Sequence, residues 1–335
     1  MVTRVAINGF GRIGRLVLRA AIEAGRKDIE FVAINDLGST AANAQLLKYD
    51  TVHGIMPHEV DHDDDHLIVD GKNIKVTNLR DPKELPWKEL EIDIALECTG
   101  IFATRDKAAA HIEAGAKKTL VSAPATNADF TVVYGVNHQQ LNKDHIVVSN
   151  GSCTTNCLAP VAKILHEAVG IEHGFMTTVH SFTGDQRTVD TLHSDPRRAR
   201  AASMAMIPTS TGAAKALGLV LPELSGKLDG TSVRVPTANV SMIDLTFRTH
   251  RQTSVDEINQ AIIQAANTQP LKNILTTNDL PLVSIDFNHN PSSSCFDLTQ
   301  TQLIEGRFAR ILSWYDNEWG FSNRMSDTAV VLSKI

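Results

Sequence analysis

Two cysteines four residues apart, Cys153 and Cys157, stand among small hydroxyl and amide side chains in the stretch SNGSCTTNCLAP, directly after the apolar run Ile146-Val147-Val148. Such a pair could form a disulfide, bind a metal or supply a nucleophile. The chain has four cysteines, Cys98, Cys153, Cys157 and Cys295, too few and too scattered for a disulfide framework over 335 residues. Zinc sites favour Cys-x-x-Cys or nearby paired histidines, and the spacing here is Cys-x-x-x-Cys. The nucleophile reading is left. Ser149 or Asn150 is the expected cap of a helix carrying Leu158, Val161, Ala162 and Leu165 on one face, which puts Cys153 in its first turn. There the helix dipole favours a thiolate, and with a positive partner the pKa is expected to fall from about 8.5 to roughly 3.5–7.5. Cys157, a turn further in, is expected to be buried and inert, and Pro160 to bend the helix or cost it a hydrogen bond.

A nucleophilic thiol needs a base. His180 ends the apolar strand Met176-Thr177-Thr178-Val179 and opens the loop HSFTGDQ, a position from which a rigid element presents a side chain to a site. Taken alone, a strand-end histidine is more often a structural hydrogen-bonding group. Pairing with SCTTN favours an imidazole that serves as acid–base catalyst to an activated cysteine.

A second chemistry is written at the N-terminus. Gly9-Phe10-Gly11-Arg12-Ile13-Gly14 is a G-x-G-x-x-G run between the strand Val5-Ala6-Ile7 and a helix marked by Ile13, Leu16, Val17 and Ala20. The first glycine allows a tight turn, the second lets a pyrophosphate approach the backbone, and the third lets helix and strand pack closely. The strand Phe31-Val32-Ala33-Ile34 runs into Asp36, where a carboxylate would hold adenine ribose hydroxyls and repel a 2′-phosphate. NAD is therefore expected over NADP. The bland alternative is a glycine turn and a solvated aspartate in a cofactor-free domain.

These residues need elements to position them. Apolar runs at Ile92 to Leu96, Thr119 to Val121, Thr131 to Val133 and Ile146 to Val148 alternate with helical or loop segments, as in a parallel α/β sheet of Rossmann type. After residue 151 the runs Phe175 to His180, Thr231 to Val235, Val240 to Arg248 and Arg310 to Tyr315 are longer and richer in β-branched residues, with Val255 to Ala266 helical between them. An α+β domain with a mainly antiparallel sheet is expected there. A composition of 42% hydrophobic and 21% charged residues, at net charge −6, fits a soluble globular protein and argues against a dedicated nucleic-acid binder. No apolar run is long enough to span a bilayer, and MVTRVAINGFGRIGR is broken by arginines and glycines where a signal peptide is apolar, so a reducing, cytoplasmic compartment is expected. His58, His62 and His66 in HEVDHDDDH could suggest a metal. Strand or turn geometry does not gather every fourth side chain, so a solvated turn between two short strands is preferred and no metal is expected.

The combination of INGFGRIGR, SNGSCTTNCLAP, HSFTGDQR, RRARAA, PTSTGAAKA, RVPTANVS and WYDNEWGFSNR closely resembles the phosphorylating glyceraldehyde-3-phosphate dehydrogenases, from Val5 to the last helix. The resemblance implies an NAD-binding domain of residues 1–151 and 317–335, a catalytic domain of residues 152–316, and a last helix near Ser322 to Leu332 that returns to the first domain. It implies Cys153 as nucleophile to the aldehyde and His180 as base. It assigns Thr183 and Arg234 to one phosphate, and Ser152, Thr154, Arg198, Thr211 and Gly212 to the other or to exchange between them. Arg12 and Ile13 would lie by the pyrophosphate, Arg80 and Ser122 near the adenosine, and Asn317 at the nicotinamide carboxamide. The segment Ser181 to Met206 resembles a loop that reaches a neighbouring subunit, which implies a homotetramer acting on glyceraldehyde 3-phosphate and inorganic phosphate. Gly151, Phe182 and Pro196 depart from the usual alanine, tyrosine and larger apolar residue. Erythrose-4-phosphate dehydrogenases share nucleophile and base, but usually lose the Thr-Gly and PTSTG features that this chain keeps in Thr183-Gly184 and Pro208 to Gly212. A non-catalytic binding protein on the same scaffold would have no need of both Cys153 and His180.

Overall fold

Val5, Ala6 and Ile7 are fully buried, and the strand they form, Thr3–Asn8, is flanked by parallel strands on both edges. A strand sandwiched in this way reads as a continuous apolar run because both its faces are covered. The computed structural model describes residues 2–335. Contacts divide the chain into two units, the first running to Val132 and then taking His138–Gly151 and Ser322–Ile335, the second comprising Val133–Asn137 and Ser152–Phe321.

In the first unit a nine-stranded sheet has the order Phe130–Thr131, Val147–Ser149, Lys118–Val121, Ile94–Glu97, Thr3–Asn8, Ile29–Asn35, Lys72–Thr77, His66–Val69, Val60–His62. Pairing is parallel up to Lys72–Thr77 and antiparallel beyond it. Helix Arg12–Glu23 follows the glycine turn and buries Leu16, Val17, Leu18, Ala20 and Ala21. The HEVDHDDDH segment is a hairpin, with His58 Nδ1 2.7 Å from Asp70 and His66 Nδ1 3.0 Å from Asp63. Among the described residues no group of three or more His, Cys, Asp or Glu is gathered as for a metal ion. The C-terminal helix, Trp319–Leu332, starts three residues earlier than the Ser322 that the resemblance implied. Within the first unit its Asp327 meets Arg26 at 2.5 Å and its Thr328 Oγ1 donates to Asn150 Oδ1 at 2.9 Å.

The second unit carries an eight-stranded, mainly antiparallel sheet with the order Ile207–Ser210, Leu228–Val235, Ile171–Ser181, Ser241–Thr249, Phe308–Tyr315, Ser294–Asp297, Leu275–Asn278, and Gln302–Ile304 paired to Phe308–Tyr315. Strand Ile171–Ser181 runs parallel to Leu228–Val235 and antiparallel to Ser241–Thr249. Helix Cys153–Val169 packs against this sheet and against helices Ala213–Val220 and Val255–Ala266, with Cys157, Leu158, Ala159, Val161, Ala162 and Leu165 fully buried. Among the described residues no helix is long and apolar enough to cross a membrane.

Candidate active site

Cys153 is the first residue of its helix, and the cap is Ser152, whose Oγ accepts from Thr155 N at 3.1 Å. The expected caps fall elsewhere for a physical reason. Ser149 still belongs to the preceding strand, and its hydroxyl donates to Ala123 O at 2.8 Å while accepting from Gly151 N at 3.1 Å. Gly151 then takes φ 64, a left-handed conformation that glycine adopts without Cβ strain, and the helix starts two residues on. The helix runs on through Pro160, which lacks the N–H of a helical hydrogen bond. Cys157 is fully buried beside Ser294 Oγ at 3.3 Å, and burial pushes its thiol up to about 12.

His180 closes strand Ile171–Ser181, and its Nε2 lies 3.4 Å from Cys153 Sγ. Its Nδ1 is 2.7 Å from Ser181 O, which can only accept, and 3.1 Å from Arg234 NH1, which can only donate; the shorter contact to the carbonyl favours the proton on Nδ1, which turns the Nε2 lone pair to the thiol. The parallel register sets His180 opposite Arg234 on strand Leu228–Val235. The Arg234 guanidinium donates to Ser181 O at 3.1 Å and to Thr183 Oγ1 at 3.0 Å, and its buried Nε has no protein partner. The electrostatics correct the expectation of a depressed thiol pKa. Burial pushes the Cys153 thiol up, against the Arg234 charge and hydrogen bonding from Thr154 that pull it down. Burial, with the Arg234 charge, pushes the His180 imidazole down to about 3. Both shifts favour the neutral thiol and imidazole facing each other across the 3.4 Å contact.

Tyr315 and Asp185 join this site without having been singled out from sequence. The Tyr315 hydroxyl bonds Thr154 Oγ1 at 2.9 Å and Thr178 Oγ1 at 2.8 Å, and its ring meets His180 edge-on with centroids 5.9 Å apart. Its one sequence cue is its place at the end of an apolar strand, just before Asp316-Asn317. Asn317 Oδ1 accepts from Ser181 Oγ and Ser241 Oγ, both at 2.9 Å, which leaves Nδ2 as the donating end of the side chain. Asp316 fixes this corner, accepting from Asn239 Nδ2, His289 N, Glu318 N and Trp319 N at 2.7–2.9 Å. Val240, between Asn239 and Ser241, is held at φ 67, a strained conformation for a β-branched residue.

The anion candidates divide. Thr183 and Arg234 stand together beside His180, and Asp185 links Thr183, whose hydroxyl it accepts from, to Arg198, whose NH1 lies 2.7 Å from Asp185 Oδ2. Arg198 Nε also donates to Thr209 Oγ1 at 3.0 Å. The Ser152 and Thr154 hydroxyls are engaged within the unit, one as cap and the other on Tyr315. Thr211 Oγ1 accepts from Ala213 N at 3.2 Å, and Gly212 caps helix Ala213–Val220 without a side-chain bond.

The first unit holds a crevice of about 340 Å³ lined in part by Gly9, Gly11, Asp36, Arg80, Cys98 and Thr99. The three glycines of the turn do three different things. Gly9 turns the chain at φ 89, with a Cβ there falling 2.7 Å from Thr99 N, while a Cβ at Gly14 would collide with the Gly9 carbonyl oxygen. A Cβ at Gly11 would meet nothing within 4 Å, so this backbone is open to an approaching ligand, at the N-terminus of a helix with no side-chain cap. Asp36 accepts from Phe10 N and from Gly38 N, both at 2.8 Å, which ties the end of strand Ile29–Asn35 to the glycine turn. Ile13 is half-buried in the first turn of the helix. Arg12 pairs with Asp50 at 2.5 Å and holds that carboxyl down at about 2. Ser122 bonds Cys98, whose thiol burial pushes up to about 12. Beneath the turn Glu97 accepts from Asn8 Nδ2 at 2.7 Å and lies 3.0 Å from His111 Nε2, a buried polar relay joining the strand ends. Open backbone, helix N-terminus and carboxylate together fit a dinucleotide.

Comparison with known proteins bears on both units. Residues 3–105 match the sequence pattern described as glyceraldehyde 3-phosphate dehydrogenase, NAD binding domain, and residues 152–317 match the C-terminal domain of the same description. Curated relatives named glyceraldehyde-3-phosphate dehydrogenase include three from bacteria. That of Xanthobacter flavus is 68% identical and that of Cereibacter sphaeroides 62% identical, each over 100% of both chains. That of Geobacillus stearothermophilus is 52% identical over 99% of each chain.

Proposed function

The chain belongs to the glyceraldehyde-3-phosphate dehydrogenase family, and from that premise we propose that it oxidises D-glyceraldehyde 3-phosphate to 1,3-bisphosphoglycerate with NAD and inorganic phosphate. The observation that carries this reading is Cys153 Sγ 3.4 Å from an imidazole whose tautomer leaves Nε2 free to take its proton. Sγ adds to the aldehyde carbon, and the thiol proton passes through His180 to the new hydroxyl oxygen, giving a thiohemiacetal. His180 Nε2 then removes that hydroxyl proton as hydride leaves the same carbon, and a thioester remains on Cys153. NAD, when bound, supplies the hydride acceptor. A phosphate oxygen attacks the thioester carbon, the carbon–sulfur bond breaks, and the acyl phosphate departs while the sulfur recovers its proton from His180. Cysteine suits both halves because a thiolate attacks well and leaves well. The Cys153 N–H, at a helix start, is a donor suited to the oxyanion.

Arg234 and Thr183 take the substrate phosphate in this reading. Arg198, Ser152, Thr154, Thr211 and Gly212 serve inorganic phosphate or its exchange. The buried, unpartnered Nε of Arg234 supports an anionic ligand there. Gly9, Gly11, Arg12, Ile13, Gly14, Asp36, Arg80 and Ser122 hold the dinucleotide, with Asn317 Nδ2 for its carboxamide. In the segment 181–206, Leu192 is 91% exposed and Met204 84%, apolar surface that supports burial against other copies of the chain in a homotetramer. Sedimentation at the mass of one chain would refute that assembly. Four free thiols support a reducing, cytoplasmic setting.

The test is NADH formation from glyceraldehyde 3-phosphate with and without inorganic phosphate, against erythrose 4-phosphate. Phosphate-dependent turnover that favours the three-carbon aldehyde is expected. Turnover favouring erythrose 4-phosphate, or none with either aldehyde, would overturn the assignment.

A further inference from the structure

Asp185 lies on the turn after the catalytic strand, where Gln186 N bonds back to Thr183 O at 2.9 Å. One carboxylate oxygen accepts from the Thr183 hydroxyl, and the other lies 2.7 Å from Arg198 NH1. Thr183 Oγ1 in turn accepts from Arg234 NH1 at 3.0 Å. A single carboxylate therefore engages a hydroxyl and a guanidinium much as two oxygens of a phosphate would, and it bridges the residue sets read above as two separate anion sites. The Asp185 side chain is 43% exposed, so it can swing into solvent without moving a strand.

We infer that Asp185 is a built-in counter-anion of the phosphate sites, holding Thr183 and Arg198 while no phosphate is bound and yielding them when one arrives. This rests on the proposed assignment of those residues to phosphate. Its negative charge sets phosphate affinity below what the arginines alone would give, because phosphate must displace it or bind against its repulsion. It also couples the sites: a phosphate on Arg234 and Thr183 removes one of the two anchors of Asp185 and so loosens its hold on Arg198. Neighbouring Asp195 reaches Arg198 Nε only at 3.9 Å, so Asp185 is the stronger anchor.

The experiment titrates the NAD-loaded protein with inorganic phosphate by calorimetry and measures KM for phosphate in the same variants. Asp185→Asn should tighten phosphate roughly threefold to tenfold, and Asp185→Glu, which keeps the charge, should stay near the parent value. In an Arg198→Ala background the Asp185→Asn change should add little tightening. Unchanged or weakened phosphate binding in Asp185→Asn, with an unaltered melting temperature, overturns the inference, and so does full tightening without Arg198. If the parent protein shows no phosphate-dependent turnover of glyceraldehyde 3-phosphate, the proposed function fails instead.

Discussion

Cys153 and His180 are recognisable as residue types in the right kinds of places, a helix start and a strand end, and their 3.4 Å approach across 27 residues of chain agrees with that reading. Burial is what the sequence does not carry. A helix N-terminus and a nearby arginine argue for a low thiol pKa, whereas the packed surroundings push the thiol up and the imidazole down. Reactivity must then depend on the partner rather than on the helix alone. Iodoacetamide near neutral pH is therefore expected to label Cys153 and spare Cys157, whose thiol sits at about 12. Replacing the base, His180→Asn, should slow Cys153 labelling by roughly tenfold or more. Peptide mapping with time-resolved mass spectrometry reads both effects, and an unchanged rate in His180→Asn would show that the thiol is activated without the imidazole. Tyr315 and Asp185 escaped notice because their roles are relational: a tyrosine in an apolar strand and an aspartate in a loop have no spacing that announces them.

Elements were more legible than contacts. Periodicity located helix Val255–Ala266 to the residue, and the alternation of apolar runs gave the parallel sheet, although strands such as Ile171–Ser181 extend beyond their apolar cores into polar residues held by neighbouring strands. The helix cap shifted to Ser152 because the backbone turn at Gly151, invisible to a propensity argument, decides which hydroxyl faces the free N–H groups. The glycine turn followed its pattern closely, since Gly9 and Gly14 answer steric demands and Gly11 leaves the backbone open. Asp36 belongs to this scale, because it braces Phe10 N and Gly38 N and is the residue proposed to hold the ribose hydroxyls. The parent protein should prefer NAD to NADP strongly in kcat/KM, and Asp36→Ala should narrow the gap mainly by weakening NAD. Comparable kcat/KM for the two cofactors in the parent would contradict this role for the carboxylate.

At the scale of the molecule, one unit carries the dinucleotide crevice and the other carries the thiol, the imidazole and the arginines, each on its own sheet. The sequence announced this division through its change from short apolar runs to long β-branched ones. It did not announce that Asn317 clusters with the second unit while the C-terminal helix joins the first from Ser322 onward, a detail set by the packing of residues distant in sequence. In the proposed reaction, oxidation leaves an acyl group on Cys153 which only phosphate discharges efficiently. Intact-mass spectrometry after mixing the protein with glyceraldehyde 3-phosphate and NAD in phosphate-free buffer tests that claim most directly. One phosphoglyceroyl group per chain is expected on Cys153, formed in step with NADH and lost when inorganic phosphate is added. NADH formation without any adduct, or an adduct that persists in Cys153→Ser, would contradict it.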